Sequence, residues 1–238
     1  MTHNKPFRDY RCKHGHAPFR CMCAGNRYSD PRITCDHYWC WGKERFNDGA
    51  RVCYLDVECT QLHANFGYMI SWVVKERNTT NLWYGIINKD DIDGAIKRGD
   101  VAIDRRILID LVQLLKNFDF ICCHYGAIPK GLDIRFIRTR CLKLKIEFPF
   151  FRELYGIDTY PLAKNKLALH SNRLGSIADV LDCPLKKSEV SPDQWILAQH
   201  GHKGALKYVL DHNIQDVKIL EFVHKKLENY GMASRSSI

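Results

Sequence analysis

No run of apolar residues in this 238-residue chain is long enough to cross a bilayer. The longest, residues 68–74 (YMISWVV), contains a serine and falls far short of the ~18–20 residues a helical span needs. Residues 1–16 carry charge but no apolar stretch, so no signal peptide is expected. There is no internal repeat and no low-complexity linker. Nor is there a compositional sign of disorder, since 45% of residues are apolar and 26% charged. The cysteine count, 11, is odd, and without an export signal a disulfide framework is not expected. These absences lead to the expectation of a soluble cytoplasmic protein in a reducing compartment, with no membrane partner.

What the chain has in excess is positive charge. Thirty-six Lys and Arg against 27 Asp and Glu give a net charge of +9, which favours an anionic partner, nucleic acid being the commonest. Cysteine divides the chain at about residue 50. Cys12, Cys21, Cys23, Cys35 and Cys40 crowd the first forty residues, whereas the other six lie singly or paired among apolar neighbours, as buried free thiols do. Residues 1–50 therefore form one unit and residues 51–238 another.

In the second unit, residues 52–59 (VCYLDVEC), 66–74 and 82–87 read as strands, with a turn at Asn78–Asn81 joining the last two into a hairpin. Ile103, Ile107, Leu111, Leu114, Leu115 and Phe118 recur at helical spacing. Residues 120–123 then have strand length and character, and 133–143 read as a helix with Ile134, Ile137 and Cys141 on one face. A helix is expected from near Ser171 to before Pro184, and another is capped by Ser191 with Pro192 at its first position. Its Trp195 reads as core. A long helix over 203–229 stops at Gly231. Strands, helix, strand and helices describe an α/β or α+β domain with a mixed sheet.

Three acidic features stand out. Alternation puts Asp56 and Glu58 on one face of the first strand, where two neighbouring carboxylates repel each other. A hard divalent cation such as Mg²⁺ or Mn²⁺ would relieve that repulsion. Asp133 opens a basic helix after the strand that ends near His124. His212 and Asp216, four apart in DHNIQDV, share a helical face.

That order of acids resembles the DnaQ-like (DEDD) 3′–5′ exonuclease superfamily on the ribonuclease H-like fold. It is most similar to the YprB-type ribonuclease H-like exonucleases, including forms that carry an N-terminal Cys/His zinc motif. The likeness covers roughly residues 51–230. LDVECTQLHANFG resembles the first motif, IDTYPLAKNKLALHSNRLGSIADVLDCPLKK the middle segment and ALKYVLDHNIQDVKILE the third motif. The resemblance implies a ribonuclease H-like mixed sheet flanked by helices. It also implies metal-binding carboxylates at Asp56, Glu58, Asp133 and Asp216, and two Mg²⁺ or Mn²⁺ ions that serve phosphodiester hydrolysis. His212 then stands beside the metals as a candidate general base, at the spacing of the family's tyrosine members, with Tyr208 as the alternative. Eight residues separate His124 from Asp133, where family members have a shorter gap and an aromatic before the acid. Substrate contacts follow by the same resemblance at Glu58, which touches the terminal 3′ group, at Cys59, Thr60 and Leu62, which border the last nucleotide, and at His124.

Cys12, His14, His16, Cys21, Cys23, Cys35, His37 and Cys40 give eight ligand types within 29 residues, enough for one structural Zn²⁺ or two. Such a module either folds the segment or also grips phosphate through its interleaved arginines. A second basic run, Lys130, Arg135, Arg138, Arg140, Lys143, Lys145 and Arg152, flanks the acids and is expected to hold a phosphate backbone, with Arg138, Arg140 and Lys143 foremost. Phe148, Phe150, Phe151 and Tyr155 are candidates either for base stacking or for the core. The expected partner is a nucleic-acid single strand or 3′ end, with DNA set slightly ahead of RNA. A nucleic-acid-binding protein that has lost activity and a structure-selective endonuclease are the competing readings.

Overall fold

The computed structural model describes residues 51–128, 130–149 and 154–230. The zinc-ligand candidates Cys12, His14, His16, Cys21, Cys23, Cys35, His37 and Cys40, and with them Phe150, Phe151 and Arg152, lie outside the described residues. Five strands form one mixed sheet in the order β3-β2-β1-β4-β5. Strand β2 (Met69–Glu76) runs antiparallel to both β1 (Val52–Cys59) and β3 (Leu82–Ile86), and β4 (Phe120–Cys123) and β5 (Tyr155–Asp158) extend the sheet parallel to β1. Helices α1 (Lys89–Arg98) and α2 (Arg105–Leu115) join β3 to β4, and α3 (Asp133–Leu144) joins β4 to β5. Helices α4 (Thr159–Lys166), α5 (Leu174–Val180), α6 (Pro192–Gln199) and α7 (Lys203–Leu227) follow.

Period-two alternation along β1 sorts its side chains between two cores. Cys53, Leu55, Val57 and Cys59 point into the core built with Ile107, Leu108 and Leu111 of α2 and Ile134, Ile137 and Cys141 of α3. Val52 and Tyr54 point the other way, into the core built with Ile177 of α5 and Val217, Leu220 and Val223 of α7. Asp56 and Glu58 continue this second row. The pleat therefore aims both carboxylates at the side of the sheet that α7 covers. Asn213 fixes α7 there, its side-chain amide donating to Ser71 on β2 at 3.1 Å.

The expected strands and the 105–115 and 133–144 helices are present, and Ser191 caps α6 by accepting from the Gln194 N–H. Trp195 packs half-buried against the core. Three elements lie outside the sequence expectations: α1, α4 and β5. The first had a legible signal. Asn88 and Asp91 exchange reciprocal bonds at the start of α1, and Gly99 closes it in the left-handed region. Strand β5 corrects the stacking expectation for Tyr155, which is buried in the sheet against Phe120. Phe148 is likewise buried, with the Arg138 guanidinium over its ring. Among the described residues no helix is long and apolar enough to cross a membrane.

Candidate active site

The acids gather at the carboxyl ends of the parallel strands, where open α/β sheets place their ligand sites. Asp56 and Glu58 lie near the end of β1, and the pairing with β2 shifts register just after Glu58, a bulge that turns the strand end. Asp133 begins α3, buried, after the loop that leaves β4. Asp216 and His212 reach down from α7, one helical turn apart.

The loop between β4 and α3 is held by a carboxylate that sequence reasoning passed over. Asp158, at the end of β5, accepts the backbone N–H groups of Tyr125, Gly126, Ala127 and Tyr160, each at 2.9 Å. Burial raises its pKa above the usual carboxylate range, against the pull of those four donors. A Cβ on Gly126 would lie 2.0 Å from Asp133 Oδ2, so only glycine lets the Asp133 carboxylate press against this loop. The Cys123 side chain hydrogen-bonds to Asp133.

Electrostatically the acids behave as one group. Burial, then the neighbouring Asp216 carboxylate, pushes Asp56 up to about 7, with the Lys187 ammonium offsetting part of this. Glu58 is raised well above its ordinary value by burial first and then by Asp56 and Asp216. Burial and then the Asp56 charge raise Asp133 in the same way. His212 turns Nε2 toward Glu58 Oε1 at 3.5 Å and Asp216 Oδ2 at 3.7 Å, while Nδ1 bonds the Ser188 hydroxyl at 2.8 Å. Burial lowers its pKa, keeping the imidazole neutral near pH 7.

Lys187 places its ammonium on Asp216 Oδ2. The other carboxylate oxygen, Oδ1, is buried with no hydrogen-bond partner. Among the described residues, no three His, Cys, Asp or Glu side chains stand in an arrangement that encloses a cation. The donor chemistry nevertheless suits one: Asp56, Glu58 and Asp216 have the Lys187 ammonium as a shared cationic neighbour among the described residues, and a buried carboxylate oxygen of Asp216 is unsatisfied.

Of the expected substrate contacts, two change role. Arg140 is buried, not on the surface, with Nε and Nη2 on the Asp104 carboxylate at 2.9 and 2.5 Å and further bonds to the Ala64 and Val101 carbonyls. It sits on the apolar face of α3 and so is unavailable to phosphate. His124 has both ring nitrogens engaged, Nδ1 with the Thr159 hydroxyl at 2.8 Å and Nε2 with the Asn172 carbonyl at 3.0 Å. Burial pushes its pKa down to about 4. The neutral ring donates from Nε2 and accepts at Nδ1, leaving nothing for a ligand.

The remaining positions border the acids. Cys59 ends β1, buried, with its thiol pushed up in pKa by burial and then by the nearby carboxylates. Thr60 closes the next loop by pairing its backbone N–H and its hydroxyl with Tyr68. Leu62 on that loop is 70% exposed. Lys143 reaches it from α3, donating to the Asn65 carbonyl at 2.8 Å. Arg138 is half-buried, and the Tyr208 hydroxyl donates to the Glu189 carbonyl at 3.1 Å.

A family model described as RNase_H superfamily matches residues 53–228. Comparison with curated proteins finds no match.

Proposed function

The chain belongs to the RNase_H superfamily, and from that premise we propose that it is a 3′–5′ exonuclease of the DnaQ-like type, close to the YprB form. Members of this fold act on nucleic acid, generally with divalent metal ions, so a nucleic-acid substrate and nuclease chemistry follow from the family itself. The finer reading rests on one observation. Asp56, Glu58, Asp133 and Asp216 come from three separate elements, yet each of Asp56, Glu58 and Asp133 has its pKa raised by burial and then by others of the group. A fold that accumulates so much like charge in a buried place does so for a cation.

Those four carboxylates would hold two Mg²⁺ or Mn²⁺ ions, which when bound activate the attacking water and stabilise charge on the leaving oxygen. The protein's own groups supply the rest. Asp133 is fixed by Gly126 and Cys123, so its carboxylate keeps one orientation. His212, neutral and one helical turn from Asp216 on α7, offers Nε2 as the acceptor for the proton of the attacking water. Leu62 and Thr60 border the terminal nucleotide, and Arg138 and Lys143 carry the phosphate backbone of a single strand, DNA before RNA. In this reading residues 1–50 are a module that holds one or two Zn²⁺, in a reducing cytoplasm.

A second reading, a binding protein without activity, has one observation on its side: the Lys187 ammonium occupies Asp216. Digestion of single strands blocked at the 3′ end or at the 5′ end, with Mg²⁺ or Mn²⁺, separates the readings. Shortening that stops only at a blocked 3′ end is expected. Internal cuts would establish an endonuclease, and binding with no products the inactive form.

A further inference from the structure

The segment between α5 and α6 is stitched to one face of α7 by four consecutive residues. The Lys186 carbonyl accepts from the Gln215 amide, and the Lys187 ammonium sits on Asp216. The Ser188 hydroxyl bonds His212, and the Glu189 carbonyl accepts from Tyr208. Tyr208, His212 and Asp216 are successive members of one i, i+4 row, so the strap runs along the row that carries the site. Residues 186–190 have no helix or strand structure of their own. Their polar contacts with α7 are made largely to residues at or beside the candidate active site.

We propose that Lys187 is a tethered cation that competes with the divalent metal for Asp216, so that metal loading releases the strap of residues 186–189 from α7. The inference rests on the metal-dependent reading given above. Three features carry it. An ammonium satisfies Asp216 Oδ2 but leaves buried Oδ1 with no partner, whereas a divalent ion can draw on both oxygens. One positive charge also cannot neutralise four carboxylates. Finally, the Lys187 side chain is 36% exposed on a flexible stem, with Gly175 beneath it, so it can leave without opening the core. Release would also withdraw Ser188 from His212 Nδ1, while Nε2 keeps its place beside Glu58 and Asp216.

Titration of the full-length protein with Mn²⁺, without substrate, tests this. Asp216→Asn identifies the binding that belongs to the site. Lys187→Gln should bind Mn²⁺ at that site about tenfold tighter than the parent, the scale of one partly exposed ion pair. Lys187→Arg should restore the parent affinity to within about twofold. Hydrogen exchange at residues 186–190 should speed up on Mn²⁺ addition to the parent, and be fast without Mn²⁺ in Lys187→Gln. Asp216-dependent Mn²⁺ binding that is unchanged or weaker in Lys187→Gln would overturn the competition while leaving the metal site standing. Absence of any Asp216-dependent binding in the parent would overturn both readings.

Discussion

At Asp56, stability and activity pull in opposite directions. Its folded pKa, about 7, lies well above the unfolded 3.8. The favourable contribution of the protonated group is complete below about pH 4 and is lost as pH rises through about 7. Asp56→Asn should therefore abolish hydrolysis and yet raise metal-free stability at pH 8 by about 1–3 kcal/mol, or several degrees in Tm. Calorimetry and a turnover assay on the same preparation check both halves; a variant that is inactive and less stable would contradict the account. Arg140 behaves in the opposite way. Its charge is paired with Asp104 in the core, so Arg140→Met should cost about 3–5 kcal/mol in chemical denaturation, with little change in nucleic-acid affinity in what remains folded. A stable variant with weakened binding would return Arg140 to the phosphate surface. The two residues also show what sequence spacing can and cannot tell. Strand alternation is rigid, so Asp56 and Glu58 could be assigned a common face. On a helix with basic residues all round, nothing local distinguishes Arg140, which faces a buried partner 36 positions earlier, from Arg138.

At the level of elements, the site depends on the loop between β4 and α3 being held in one shape. Asp158 accepts three hydrogen bonds from that loop, and Gly126 supplies the room. Gly126→Ala should drive Asp133 out of position, lowering kcat by about 10²-fold, the scale of a misplaced reacting group. It should destabilise the fold by about 1–3 kcal/mol, as overpacking does. Steady-state kinetics alongside a melt check this, and near-parental kcat in a folded variant would show that Asp133 is not needed where it stands. Of the elements legible in the sequence, β1 to β4, α2, α3 and α7 announce themselves through apolar runs or a hydrophobic period, and α5 and α6 through their flanking serines and prolines. Of those not read, α4 and β5 are short, and α1 buries only two residues and is marked chiefly by its caps. Lys187 and Ser188 were unreadable for a related reason. They lie in an irregular segment, and their partners on α7 are 29 and 24 positions away.

At the scale of the molecule, negative charge is concentrated at the acids although the chain as a whole carries a net +9. Since the buried carboxylates lose stability as pH rises, a divalent ion should stabilise the protein more at pH 8 than at pH 5. Thermal melts with and without Mn²⁺ at the two values check the sign, and an equal shift at both would contradict it. The amino-terminal module gives an independent test: elemental analysis should find one or two zinc atoms per chain, and metal-free protein would remove the module from the account. The central claim is tested most directly by following a 5′-labelled single strand through time with the parent protein and with Asp56→Asn. A ladder that shortens one nucleotide at a time from the 3′ end, only with Mg²⁺ or Mn²⁺ and only with the parent, is the result predicted. An intact strand after incubation with folded, metal-supplied parent protein, or equal digestion by Asp56→Asn, would contradict it.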